Sequence, residues 1–114
     1  MASDLGFNGY LAKTADYTVL ATDNGTTFTN RGASGAVVLT LPAPFAGGHY
    51  RALVHAAQNF SFATATADTF VCDNDAAADS LLCSRIGGCI DVESDGTSWF
   101  GRVLALATNA TVGT

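Results

Sequence analysis

Two carboxylates, Asp91 and Glu93, are the first candidates for acid–base chemistry in this chain of 114 residues. They lie two positions apart in an alternating segment, so a strand would place both on one face. Such a pair could act as acid and base in glycoside hydrolysis. A Gly-Gly turn and a Ser-Asp-Gly turn flank the segment, and no activated partner accompanies the pair. A solvated strand face is therefore favoured, no enzymatic activity is expected, and a small hydrolase dependent on Asp91 is the least favoured function.

An acidic stretch at residues 73–79 suggests calcium, because Asp73, Asp75 and Asp79 are spaced like oxygen ligands. An EF-hand loop requires Gly at its sixth position and Glu at its twelfth. Ala78 and Ser84 occupy those positions here. The stretch also lacks strand alternation, so a solvated loop or a single helical turn is predicted instead.

Three cysteines and two histidines could in principle bind zinc or form a nucleophile and base. Zinc needs four ligands at tetrahedral spacing, and no Cys-x-x-Cys motif occurs. No cysteine-hydrolase signature surrounds any thiol, and the glycines do not form a phosphate-binding loop. We expect free, buried or half-buried thiols, no metal and no cofactor. The residues concerned are Cys72, Cys83, Cys89, His49 and His55.

Trp99, followed by Phe100, has two interpretations. An exposed tryptophan could form a platform for a carbohydrate, whereas a buried one would anchor the core beside a turn. Buried aromatic side chains dominate small β cores, so the core interpretation is favoured.

The overall composition limits the possible partners. Hydrophobic residues make up 48% and charged residues 13% of the chain, whereas soluble domains average about 25% charged. This excess favours an oligomer. The net charge of −5 and the scattered basic residues argue against nucleic acid, and no apolar run approaches the roughly 18 residues of a membrane-spanning helix. The N-terminus lacks the features of a secretory signal, so folding in a cytoplasm is expected.

Turn residues punctuate alternating Thr, Val and Phe segments throughout the chain, which predicts an all-β domain. The sequence Asp23-Asn24-Gly25 predicts a tight hairpin joining strands at 17–21 and 26–29. Gln58-Asn59 predicts a second hairpin between 50–57 and 60–65. We expect eight or nine short strands in a small antiparallel β-sandwich or barrel-like module.

The last two predicted strands, at 88–94 and 98–106, are joined by Asp95-Gly96-Thr97. Residues 17–107 would form the β-module. Residues 1–16 lack periodicity but contain apolar side chains, which is typical of an arm that docks on a partner. Residues 108–114 are small and polar, which predicts a flexible tail. The docking residues of the arm would be Leu5, Phe7, Tyr10 and Leu11.

Residues 17–42, which include Asp23-Asn24-Gly25 and end at Pro42, resemble a β-module of tail-fibre, head-fibre and decoration proteins of tailed phages. The stretch Asp95-Gly96-Thr97-Ser98-Trp99-Phe100 is similar to that family's Asp-Gly-Thr-x-Trp turn before its final strand. The segment 50–60 resembles its central hairpin. The resemblance covers residues 17–106.

The resemblance implies a phage virion structural protein without enzymatic activity. Because the module stands almost alone behind a short arm, it is most similar to a capsid decoration, or cement, protein. Such proteins form homotrimers on the capsid exterior and bind the major capsid protein between capsomers. The alternative is a fibre module or receptor-binding protein that recognises host surface glycans.

A trimer is also consistent with the size and charge of the chain. A small β domain buries only about two thirds of its unfolded surface and gains from sharing apolar faces between copies. Charges are scarce at 36–65, as an interface requires. The side chains expected in the core or the trimer interface are Val37, Leu39, Val54, Phe60, Phe62 and Trp99.

Overall fold

The computed structural model describes residues 9–67, 69–104 and 110–113. These residues form twelve short strands and one short 3₁₀ helix at Ala21–Asp23. The first six strands are β1 Gly9–Ala12, β2 Tyr17–Thr18, β3 Thr26–Thr29, β4 Val37–Leu41, β5 His49–Leu53 and β6 Phe60–Thr64. The other six are β7 Phe70–Cys72, β8 Asp75–Ala78, β9 Ser80–Cys83, β10 Cys89–Ser94, β11 Trp99–Leu104 and β12 Ala110–Gly113.

The strands form two mixed sheets in a sandwich-like arrangement, which confirms the all-β prediction. One sheet has seven strands in the order β1-β3-β5-β10-β11-β7-β8, and the other has five in the order β12-β9-β6-β4-β2. The prediction of an antiparallel fold with eight or nine strands is wrong. Five neighbouring pairs are parallel: β1 with β3, β3 with β5, β2 with β4, β4 with β6, and β7 with β11.

The parallel pairs arise because consecutive strands from β2 to β7 lie alternately in the two sheets. Both predicted early hairpins are therefore wrong. The 3₁₀ helix carries the chain from β2 in one sheet to β3 in the other. Asn24 does not close a hairpin, because its side chain accepts a hydrogen bond from the His49 N–H at 2.8 Å and donates to the Gly47 carbonyl at 3.4 Å.

The segment around Gln58-Asn59 also connects the two sheets rather than a hairpin pair. Its geometry depends on Asn30, whose Oδ1 accepts from the backbone N–H groups of His55 and Ala56 at 2.7 and 2.9 Å. The Nδ2 of Asn30 donates to the Ala56 carbonyl at 3.1 Å. Strand β5 ends before this contact, and the chain turns to start β6 in the five-stranded sheet.

Two hairpins do occur in the seven-stranded sheet. Strands β10 and β11 pair through the predicted turn, where Asp95 Oδ1 accepts from the N–H groups of Thr97 and Ser98. Strands β7 and β8 pair through Asp73 and Asn74, whose positive φ angles of 45° and 66° suit a tight hairpin turn. The prediction of a loop or helical turn at 73–79 is therefore wrong, because Asp75–Ala78 is a strand.

The core lies between the two sheets. Phe28 of one sheet and Phe62 of the other meet with ring centroids 6.5 Å apart. The six side chains expected in a core or an interface are all buried within the single chain, so the structure assigns them to the core. They are Val37, Leu39, Val54, Phe60, Phe62 and Trp99.

Both terminal segments contribute an edge strand. Gly9–Ala12, which the sequence assigned to the arm, pairs in parallel with β3. Ala110–Gly113, which it assigned to a flexible tail, pairs antiparallel with β9. Leu5 and Phe7 lie outside the described residues. Among the described residues there is no helix long and apolar enough to cross a membrane.

Candidate interaction surface

Strand β1 forms one edge of the seven-stranded sheet and carries Tyr10 and Leu11, the two predicted docking residues that lie within the described part of the chain. Tyr10 is 66% and Leu11 41% exposed, and Ala12 is also exposed. Large apolar side chains at this exposure are better suited to a partner surface than to water. Strand β1 is therefore an edge strand with exposed apolar side chains.

The outer face of the seven-stranded sheet is polar. In its central row, Asp91 lies opposite Arg51 on one side and Arg102 on the other. The Nε of Arg51 lies 2.7 Å from Asp91 Oδ1, and an Nη of Arg102 lies 3.3 Å from a Glu93 oxygen. The hydrogen bond that Arg51 donates to the Asp91 carboxylate raises the pKa of the Arg51 guanidinium.

These contacts show the surroundings of Asp91 and Glu93. Each carboxylate is paired with an arginine whose side chain is 54% exposed. Exposed pairs of this kind contribute about 0–1 kcal/mol. The arrangement is compatible with the solvated strand face that the sequence favours, and the choice between that face and an acid–base pair stays a prediction.

Two shallow grooves lie on this face and share His49 and Glu93. The first, of about 300 Å³, is also lined by Thr27, Arg51 and Arg102. The second, of about 350 Å³, is bordered by Phe100, which is 37% exposed. A sugar can bind in a polar groove beside an aromatic side chain. Its hydroxyl groups form hydrogen bonds with the charged groups, and its ring stacks on the aromatic ring.

Trp99 lies inside the protein and not in these grooves. Its side chain has 0% exposure, its indole N–H donates to the Pro42 carbonyl at 2.9 Å, and its ring packs against Phe45 and Tyr50 with centroids 5.7 Å away in both cases. The interpretation of Trp99 as a core anchor is confirmed. Phe100, which points to the opposite face of β11, is the exposed aromatic of the pair.

The three cysteines are free and buried, as expected. Burial raises the pKa of the Cys89 thiol to about 12, and the nearby Asp91 carboxylate contributes in the same direction. Burial likewise raises the pKa of Cys72. Both thiols are therefore neutral at physiological pH, which is the opposite of what a cysteine nucleophile requires.

The acidic stretch forms a hairpin and not a calcium loop. Asp73 lies in the turn, and Asp75 Oδ1 accepts from the Ala77 N–H at 2.9 Å. In the part of the chain that the structure describes, no three His, Cys, Asp or Glu side chains are grouped so as to hold a metal ion.

Sequence patterns missed two asparagines that organise the surface connections. Asn24 lies shortly before β3, and Asn30 follows it directly. The side chain of each accepts a hydrogen bond from a backbone N–H group 25 residues away in the sequence. The sequence predicts Asn24 as part of a tight hairpin turn, and no pattern singles out Asn30. Only the long-range partners distinguish these residues from simple turn formers.

The chain matches no protein-family profile and no curated protein.

Proposed function

We propose that this chain is a phage virion structural protein that acts as a homotrimeric decoration protein on the capsid exterior. It binds the major capsid protein between capsomers and stabilises the shell. The observation that carries the proposal is the apolar edge at β1, where Tyr10 and Leu11 are exposed. The resemblance of residues 17–42 and 95–100 to the β-module of phage fibre and decoration proteins is the reason for proposing this class of protein.

A decoration protein needs a rigid body and a segment that reaches its neighbour. The two packed sheets provide the rigid body. Strand β1 holds the N-terminal segment against that body through parallel pairing with β3. Residues 1–8 precede this strand in the sequence and include Leu5 and Phe7, apolar side chains of the kind that enter a hydrophobic groove of a partner protein.

The electrostatics are consistent with a protein partner. The net charge of −5 disfavours contact with the packaged nucleic acid. A cation-rich surface on the capsid protein would attract this chain and increase the association rate. No cofactor is required for a clamp of this kind.

The test is binding to phage capsids that lack their decoration protein. The wild-type protein should bind and raise the temperature at which the capsids break open. Deletion of residues 1–8, or Leu11→Asp, should weaken binding at least tenfold, because either change removes apolar contact. Leu20→Asp is the matched control, since Leu20 is 52% exposed but lies outside β1.

Two results would contradict the proposal. Undiminished binding of both arm variants would remove the role of the arm. Failure of the wild-type protein to bind or stabilise any such capsid, at concentrations that saturate known decoration proteins, would remove the decoration function.

The second candidate function is recognition of host surface glycans by a fibre module. The groove of about 350 Å³ beside Phe100 favours it, because His49 and Glu93 line the same groove. A glycan array should then show binding that Phe100→Ala abolishes and that Leu104→Ala, on the same strand, preserves. Absence of binding to any glycan contradicts this candidate.

A further inference from the structure

The connection between β2 and β3 contains a sequence with a reactivity of its own, Asn24-Gly25. In an Asn-Gly pair the backbone nitrogen of the glycine can attack the side-chain amide carbon of the asparagine, because glycine has no side chain to hinder the approach. The new N–C bond closes a five-membered imide, and the amide nitrogen leaves as ammonia with the proton of the attacking N–H. Water then opens the imide at one carbonyl to give aspartate or at the other to give isoaspartate.

In the folded chain, both reacting groups are held by other partners. The Gly25 N–H donates to the His49 carbonyl at 2.9 Å, and the Asn24 Oδ1 accepts from the His49 N–H at 2.8 Å. The Asn24 Nδ2 donates to the Gly47 carbonyl at 3.4 Å. Gly25 is buried and Asn24 is half-buried. The nitrogen that would attack and the amide that it would attack are therefore both engaged elsewhere.

The backbone conformation of Asn24 also opposes the reaction. Its φ and ψ angles are −50° and 134°. Ring closure requires the Gly25 nitrogen and the Asn24 Cβ to be nearly eclipsed about the Cα–C bond, and this ψ angle keeps them far from that arrangement. Deamidation therefore requires a rotation about the Cα–C bond of Asn24, and that rotation cannot keep both hydrogen bonds to His49.

The β2–β3 connection is held by few contacts. Its 3₁₀ helix Ala21–Asp23 contains no buried residue, and Leu20 is 52% exposed. The Tyr17 hydroxyl donates to Asp23 Oδ2 at 2.7 Å. The Tyr50 hydroxyl donates to the Leu20 carbonyl at 2.8 Å. Segments with few buried apolar side chains open locally at a lower free energy than core strands, so the connection can open while the two sheets stay paired.

We propose that Asn24 is a site of spontaneous deamidation that the native fold keeps unreacted, and that local opening of the β2–β3 connection sets the rate. The reaction consumes one water molecule, releases ammonia and needs no enzyme or cofactor. The inference is independent of the decoration function, because it concerns the chemistry of one segment of this chain.

The product cannot restore the contacts that it replaces. Aspartate has a carboxylate oxygen where Asn24 has its Nδ2, so the donor to the Gly47 carbonyl becomes a second acceptor. Isoaspartate adds a methylene group to the main chain just before β3. Because His49 lines both grooves on the outer face of the seven-stranded sheet, a deamidated chain is altered at the wall that the grooves share. The reaction also adds one negative charge to the net charge of −5.

The first measurement compares native and denatured protein. Wild-type protein is incubated in mildly alkaline buffer with and without guanidinium, and peptide mass spectrometry follows the deamidation of Asn24. We expect the native reaction to be at least about tenfold slower, because only the open fraction reacts. Asn8, which precedes Gly9, forms a second Asn-Gly pair and gives a reference rate in guanidinium. Equal Asn24 rates in the two buffers, or no Asn24 reaction in guanidinium where Asn8 reacts, would overturn the proposal.

Tyrosine-to-phenylalanine variants test whether local opening sets the rate. Tyr17→Phe and Tyr50→Phe each remove one hydrogen bond from the connection and leave the Asn-Gly pair unchanged. Each should raise the native rate at Asn24 about threefold or more, as expected for the loss of one hydrogen bond, without changing the rate in guanidinium. Tyr10→Phe is the matched control, because Tyr10 lies in β1, outside the connection. It should react like the wild type.

Asn30→Ala distinguishes local opening from global unfolding. It removes contacts that follow the other end of β3, so it weakens the whole fold without touching the β2–β3 connection. A native Asn24 rate close to that of the wild type in Asn30→Ala, with faster rates in the two connection variants, supports the proposal. Faster reaction in Asn30→Ala or in Tyr10→Phe, or connection variants that react like the wild type, would overturn control by local opening. Far-ultraviolet circular dichroism establishes that each variant is folded.

Discussion

Asn30 illustrates how one side chain can hold a connection between sheets. It has 0% exposure and makes three hydrogen bonds to the backbone of His55 and Ala56. A buried polar group of this kind stabilises the fold because its removal leaves several backbone groups unsatisfied. The two sheets therefore depend on a residue that contributes nothing to the apolar core.

We predict that Asn30→Ala lowers the free energy of unfolding by about 2–4 kcal/mol, because backbone donors and an acceptor lose their partners. Guanidinium denaturation followed by circular dichroism measures this. Asn59→Ala is the control, since Asn59 is exposed, and it should change stability by less than about 0.5 kcal/mol. Equal effects of the two substitutions would contradict the role of Asn30.

Cys89 gives a prediction about pH. Its pKa is raised to about 12, from an ordinary value of 9.0, mainly by burial. The folded state therefore keeps its proton when the unfolded state has lost it. The stability from this thiol is complete below pH 9 and declines as the pH rises from 9 towards 12. Cys89→Ala should flatten that alkaline decline, measured as unfolding free energy against pH.

The Cys89 thiol should be unreactive in the native state. At pH 8 we expect negligible alkylation of Cys89 by iodoacetamide in folded protein and complete alkylation in guanidinium, because only thiolates react. Peptide mass spectrometry distinguishes it from Cys72 and Cys83. Rapid native alkylation of Cys89 would show that the thiol is exposed and ionised.

At the scale of elements, the β10–β11 hairpin depends on the conformation of one glycine. Gly96 has φ of +99°, which L side chains rarely adopt. A Cβ there would meet Ala46 no closer than 3.5 Å, so the obstacle is the backbone and not space. The Asp95 carboxylate supports the same turn, and its hydrogen bonds from Ser98 and Thr97 lower its pKa.

Gly96→Ala should therefore destabilise the protein by about 1–3 kcal/mol. Gly35→Ala is the matched control, because Gly35 lies in a turn without positive φ and with no atom within 4 Å of an added Cβ. Its effect should be neutral or slightly stabilising. Thermal unfolding of the two variants in parallel tests the difference, and similar losses would contradict the conformational explanation.

At the scale of the whole molecule, the crossing of the chain between sheets makes the sandwich one cooperative unit. Consecutive strands from β2 to β7 alternate between the sheets, so neither sheet can separate without breaking the other. Small domains of this size commonly unfold in one step. The N-terminal and C-terminal edge strands are tied to opposite sheets by the same topology.

We predict that Trp99 fluorescence, which reports the core, and far-ultraviolet circular dichroism, which reports both sheets, give coincident denaturation curves at one protein concentration. The expected midpoints agree within experimental error. Separate transitions would show that one sheet unfolds before the other, which the alternating topology does not allow.

The sequence by itself determined the all-β class, the β10–β11 hairpin and the apolar residues of the core, because alternation and turn chemistry are local properties. It also determined that residues 1–16 contain apolar side chains such as Tyr10 and Leu11, and that charges are scarce at 36–65.

The tertiary structure decided which strands are neighbours. A turn sequence reverses the chain, but whether the next strand joins the same sheet depends on distant partners, such as His49 for Asn24 and Ala56 for Asn30. It also decided that Trp99 is buried and Phe100 exposed, and that the described strands with charged residues all lie in the seven-stranded sheet. Burial and pairing depend on residues far apart in sequence, so local patterns could not supply them.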